Sequence, residues 1–438
     1  MKKYLLTSVF ALVGLGVLGA PIVVAQANSG QITIKDPAEY NSYNNAITQT
    51  SPQATASACE SFLNTYPQSV VKLAVLNKLV DAYSQFDASK AVDAAGRLLQ
   101  VDPSNLKALY LIAFIKKQQA TQVAASNPTQ QAQLLDDAAA AAQKGLALTK
   151  PDGVTDAAFK TQKATTDPFF HSVIAYDDIY SKKDLQGAIT EFRTELEMLG
   201  TSNPAATQVA PALNDTLVLG QTYTQLKPAD MINGVWYMSR AENFAPANFK
   251  PIIEKQAKYW YKRFHGSEDG YDAVMAASAK SVFPPQDFKI DPAPTPKQIA
   301  DKFVADNPDF TTYAMGDSEY VLANASPDNA DKLWATLKDK VVIIPGTVIS
   351  ADANQIKLAV TDDAKADKVS DFTINMKKPL TDKEIPAVGS DVTNLVGTYD
   401  SYTQTPPQII MREGEFQVTK KPVTHHKPAA GHHTTSSN

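Results

Sequence analysis

Outside its last twenty residues the chain holds two histidines, His171 and His265, and a single cysteine, Cys59. His265 stands close to Glu268 and Asp269, three side chains of metal-ligand type. The same stretch suits a helix end followed by a helix start, where a cation and two acids complement opposite helix dipoles, and it is read as capping. Cys59 has no histidine nearby to lower its pKa and is read as a small buried hydrophobe. The acid pairs Asp136-Asp137 and Asp177-Asp178 could serve a carboxylate-dependent hydrolase, but they are read as solvated helix faces. His425-His426 and His432-His433 lie in a Pro-, Lys- and Thr-rich tail that offers no fixed geometry, so no metal site is expected. No nucleophile elbow, zinc-protease helix, phosphate loop or dinucleotide fingerprint occurs. A non-enzymatic protein without cofactors is the resulting expectation.

The elements that would position these residues are marked by prolines. Apolar or small residues recur five, eight and twelve positions before Pro67, Pro103, Pro151 and Pro246. The sets are Thr55–Cys59–Phe62, Ala91–Ala95–Leu98, Ala139–Gln143–Leu146 and Gly234–Met238–Ala241. Ala188–Phe192 precedes Pro204 with four extra residues. Steps of four and three keep one helical face in register, and a proline stops each helix. Between these second helices lie first helices: Asp36-Pro37 reads as a cap and first-turn proline, and Leu76, Leu79 and Tyr83 share a face. Leu219-Gly220-x-x-Tyr223 repeats the theme. Spacings of 36, 48, 53 and 42 between the prolines make the repeat irregular, and Thr121 to Gln133 reads as a loop insertion.

These residues resemble the tetratricopeptide repeat family over roughly residues 36–246, with Lys183-Asp184-Leu185-Gln186-Gly187-Ala188-Ile189 matching its inter-helix turn. An unrelated helical bundle is the competing architecture. The resemblance implies a right-handed solenoid of helix-turn-helix units whose first helices line a groove for other proteins or peptides. Carried over from that geometry, Asn77, Asp81, Asn214, Gln221 and Gln225 are the expected groove contacts. The aromatic run Tyr259-Trp260-Tyr261 with Phe264 is read as a capping helix.

Residues 1–27 read as a signal peptide: Lys2 and Lys3, an apolar run to Val24, then Ala25-Gln26-Ala27 as a cleavage site. A periplasmic or secreted protein without a transmembrane segment after cleavage follows. Without Lys2, Lys3 and the three tail lysines, residues 28–418 carry a formal charge of −10, which repels phosphate backbones and argues against nucleic acid. One cysteine permits no internal disulfide.

After residue 283 the pattern changes. Residues 284–339 read as a Pro-rich linker with short helices, and from Val341 the period falls to two. Five strands are expected within residues 340–418: 341–351, 355–361, 372–376, 392–403 and 409–418. Lys340-Val341-Val342-Ile343-Ile344-Pro345-Gly346 and Val396-Gly397 resemble the oligonucleotide/oligosaccharide-binding (OB) fold, in its exported tRNA-anticodon-domain-like form, with a small β-sandwich as the competing fold. The expected whole is a multidomain α + β chain: a helical repeat domain (28–283), the linker, a five-stranded OB-like barrel and a tail (419–438). A cell-envelope polymer held by the barrel is the alternative to a protein partner.

Overall fold

The computed structural model describes residues 33–417. The expected signal peptide and the histidine-bearing tail lie outside the described residues. Within them the protein is mostly helical, with a mixed seven-stranded sheet towards its C-terminal end. Two compact units meet in sequence between Ala293 and Pro294.

The first unit begins with α1 (Pro37–Thr48), α2 (Pro52–Thr65), α3 (Lys72–Tyr83) and α4 (Ala88–Val101). Asp36, Ser51 and Asp87 accept from the N–H groups of Ala38, Ala54 and Lys90 at 2.9, 3.2 and 3.0 Å. Each satisfies a first-turn donor that has no partner inside its helix. Four longer helices follow: α5 (Leu106–Val123), α6 (Pro128–Ala147), α7 (Asp156–Asp177) and α8 (Leu185–Ser202). A π-helical turn, Asp178–Lys182, extends α7. Asp184 then caps α8 through the Gly187 N–H at 2.9 Å. The unit closes with α9 (Ala212–Gln225), α10 (Met231–Phe244), α11 (Lys250–His265) and α12 (Tyr271–Ser278). Gly266, at φ 94°, ends α11 in the left-handed region that favours glycine.

Four of the five proline-anchored sets point inward: Cys59, Phe62, Ala91, Ala95, Leu98, Ala188, Phe192, Met238 and Ala241 are all buried. The third does so only in part: Ala139 is buried and Leu146 packs half-buried against the core, but Gln143 is exposed, and the buried face of α6 also takes in Leu135, Ala138, Ala142 and Gly145. Small residues surround this alanine-rich helix, so spacing alone cannot select its face. Phe170 of α7 selects it, with its ring 2.3 Å from where a Gly145 Cβ would stand. The expected insertion is also not a loop. Helix α5 continues to Val123 and α6 starts at Pro128, with Asn127 accepting from the Gln130 N–H at 3.1 Å. Good helix formers absorb the extra length as helix.

The second unit places α13 (Pro296–Asp306), α14 (Met315–Asn324) and α15 (Pro327–Leu337) before β1 (Val341–Ile343), β2 (Gly346–Ala351) and β3 (Gln355–Ala359). A short α16 (Asp362–Asp367) leads to β4 (Phe372–Met376), β5 (Asp391–Val392), β6 (Leu395–Gln404) and β7 (Pro407–Phe416). The three helices expected in a linker share one core with the sheet, where Val321, Leu322 and Leu333 meet Val348, Leu358, Ile374 and Met411. Strand order is β1-β6-β7-β4-β3-β2-β5, with β4 and β7 parallel and the other pairs antiparallel. The sheet curls into a half-barrel.

Seven strands replace the expected five because two of those stretches break. Pro345 has no N–H for a ladder and separates β1, paired with β6, from β2, paired with β3 and β5. Thr393 and Asn394 separate β5 from β6.

Candidate functional site

Several side-chain ties in the first unit link alternate helices, beside others that link successive ones. Among the even helices, Glu60 of α2 accepts from Arg97 of α4 through both oxygens at 2.9 Å, and Arg193 of α8 donates to the Tyr237 hydroxyl of α10 at 2.7 Å. The odd helices are tied in the same way. Asp81 of α3 pairs with Lys107 of α5. Lys117 of α5 donates to Ser172 of α7 at 2.7 Å. Ser172 and Tyr176 donate to Asp215 of α9 at 2.6 and 2.9 Å, and Gln221 of α9 donates to Gln256 of α11 at 2.9 Å. Tyr110 meets Phe169 at 4.7 Å between ring centroids while Lys117 meets Ser172. Both residue pairs ascend together, so α5 and α7 run parallel.

Half-buried rings line the odd row at α5 and α7. Tyr110 stacks on Phe114 at 6.3 Å, and Tyr176 on Tyr180 at 6.2 Å. The Lys117 ammonium lies 4.2 Å from the Tyr176 ring centroid, a cation–π geometry. Beneath it, Ser172, Glu195 of α8 and Asp215 are each 2 % exposed. Burial pushes the Glu195 carboxyl well above the ordinary carboxylate range; Asp215 adds to the shift and Lys117 opposes it. Burial likewise raises the Tyr176 phenol, with Asp215 contributing.

Further along the row, a cavity of about 150 Å³ opens between α9, α10 and α11. Val209, Leu213, Leu217, Phe244 and Ile253 form apolar walls, and Gln208 and Asn214 are polar groups in its lining. The space matches one apolar side chain.

The residues expected from sequence are dispersed along this row. Asp81 and Gln221 tie neighbouring odd helices, as described. Asn77 donates to the Leu73 carbonyl of its own helix at 2.9 Å, and Gln225 to that of Gln221 at 3.3 Å. Asn214 lines the apolar cavity. Sequence reasoning missed Lys117, Ser172, Tyr176, Glu195 and Asp215. They sit on four helices, and no local spacing joins them.

The two histidines have partners. His171 Nδ1 lies 2.6 Å from Glu191, and His265 Nδ1 lies 2.8 Å from the Asp291 carbonyl. Among the described residues no three His, Cys, Asp or Glu side chains are grouped to hold a metal ion, and no helix is long and apolar enough to cross a membrane. No protein-family model matches the chain, and no curated protein sequence matches it.

Proposed function

We propose that this protein is an exported, non-enzymatic scaffold of the tetratricopeptide type, binding an extended protein or peptide segment along its odd-helix row. The observation that carries this reading is the chain of same-row ties from α3 to α11, with α5 and α7 parallel. That arrangement is what stacked helical hairpins produce. It leaves half-buried rings and an apolar cavity on one row, features that suit a peptide with apolar anchors. Export rests on residues 1–27 and places the partner in the periplasm or outside the cell. Glu195 and Asp215 are paired carboxylates, but with 2 % exposure each they are placed to hold helices together rather than to meet a substrate.

The test is site-specific photocrosslinking of the exported protein in its own cells, with the probe at Val209, which is 58 % exposed at the cavity. A discrete protein adduct that is missing when the probe sits at exposed Gln143 of α6 supports the reading. Equal, diffuse labelling at both positions sinks it.

The second unit supports a different reading, in which an OB-type barrel holds a cell-envelope glycan. If β1 with β2, and β5 with β6, are each counted as one interrupted strand, the pairings become first–second, second–third, third–fifth, fifth–fourth and fourth–first. That order of neighbours is the one such a five-stranded barrel would have, which supports the reading. Co-sedimentation of the full chain with isolated envelope polysaccharide tests it. Retention that persists in Val209→Asp would assign the glycan to the second unit, and no retention of the wild type would remove this reading.

A further inference from the structure

The Glu195 carboxyl is a buried ionisable group that groove binding does not use. Its neighbour Asp215 is a buried acid with side-chain donors of its own. Asp215 already accepts from Ser172 at 2.6 Å and from Tyr176 at 2.9 Å. Lys117 donates to the same serine at 2.7 Å. Asp215 stands near enough to push the Glu195 carboxyl up, and Glu195 Oε2 is buried with no hydrogen-bond partner. Two ionised carboxylates offer only acceptors, so a proton on one of them is what lets the pair hydrogen-bond.

We propose that Glu195 and Asp215 share one proton, and that this proton locks the junction of α7, α8 and α9. With the proton in place the cluster is balanced: Lys117 is positive, Asp215 negative and Glu195 neutral. Its loss leaves two adjacent anions against one cation, in a place where water cannot screen them.

The other groups packed around the pair do not supply a second cation. From α7, Tyr176 faces it, while His171 turns to Glu191 of α8. From the π-helical turn, Tyr180 stacks on Tyr176, and Asp178 is paired with Lys182 at 2.9 Å. The 3-10 turn Pro204–Gln208 packs on α8 and has no ionisable side chain. On α8 itself, Arg193 is engaged with Tyr237.

The sign of the linkage is set by where the proton is held more tightly. Burial keeps it on folded Glu195 to a pH above the ordinary 4.5 of the unfolded chain. Stability from the lock is therefore complete below about pH 4.5 and falls as pH rises towards the raised midpoint. One proton changes the unfolding constant by about tenfold per pH unit over that window.

The experiment is urea unfolding of the full chain from pH 4.5 to 9, comparing the wild type with Glu195→Gln. The glutamine amide can donate to Asp215 at every pH. The two proteins should unfold alike at pH 4.5. Above it, the wild-type unfolding constant should climb relative to the variant by up to about tenfold per pH unit. A ratio that stays constant across the range overturns the proposal. The second measurement is infrared spectroscopy at pH 7. The wild type should show the carbonyl stretch of a protonated acid that Glu195→Gln lacks, and the same band should shift in Asp215→Asn, where the neighbour no longer shares the proton. Should Glu195→Gln fail to fold, the difference between the wild-type and Asp215→Asn spectra decides, because it cancels other protonated acids such as Glu319: no difference band in the protonated-acid region rules the shared proton out.

Discussion

Lys117 and Ser172 stand 55 residues apart in the chain, and their side chains meet at 2.7 Å. Through the serine hydroxyl the lysine is linked to Asp215, so one hydrogen-bonded line joins α5, α7 and α9. The lysine sits at the edge of the line, with its ammonium over the Tyr176 ring and linked to the buried Asp215 through Ser172. Apolar packing holds each helix to the next, and this line fixes which alternate helices are adjacent.

Lys117→Met tests that line. Methionine keeps much of the apolar stem but removes the charge opposite Asp215 and the donor to Ser172. The expected loss is about 2–4 kcal/mol in urea unfolding at neutral pH. A loss below about 0.5 kcal/mol, the level of an ordinary surface change, would mean that the tie is idle.

Gly220→Ala tests the crossing of α9 and α10. A Cβ at 220 would stand 2.9 Å from both the Gly234 carbonyl oxygen and the Met238 nitrogen. Both are backbone atoms, which cannot turn aside as a side chain can. The helices must separate, at an expected cost of about 1–3 kcal/mol, seen as a lower urea midpoint. An unchanged midpoint would show that the crossing is looser than this contact implies.

Glu319→Gln tests pH dependence in the second unit. Burial, with Asp371 and Asp363 nearby, pushes the Glu319 carboxyl from 4.5 up to about 7. A raised carboxylate contributes stability below pH 4.5 that is lost as pH rises through about 7. The glutamine variant should therefore gain thermal stability over the wild type between pH 5 and 8, and the gain should level off above that. A difference in melting temperature that does not vary with pH would refute the assignment.

Val209→Asp tests the apolar cavity without touching the core. The side chain is 58 % exposed, so stability should change by no more than about 0.5 kcal/mol. A charge at the cavity wall should nevertheless lower retention of the crosslinked partner by tenfold or more, measured by quantitative pull-down. Unchanged retention would move the binding surface away from α9–α11.

Much of the helical layout was legible in the sequence because its signals are local. Asp36, read as a cap ahead of Pro37, caps α1 through an N–H two residues away, and Pro67 and Pro103 follow helix ends at once. The failures also have identifiable causes. In α6 nearly every position is small, so the periodicity did not reveal that Gly145 rather than Leu146 faces Phe170. In the sheet, alternation identified the strand segments. It could not show that β1 and β2 pair with different partners on either side of Pro345.

The candidate site divides along the same line. Asn77, Asp81, Asn214, Gln221 and Gln225 were chosen as polar residues opposite the packing face of their helices. Whether each is open to a partner depends on the next helix of its row. Lys107 occupies Asp81 and Gln256 occupies Gln221, while Asn214 borders a cavity. Caps, prolines and periodicity act within a few residues, so the sequence by itself determined where helices begin and end. The neutral acid, the cation beside it and the apolar cavity need atoms brought together from four helices or from three. Only tertiary structure decided those, because charge balance and burial depend on neighbours in space.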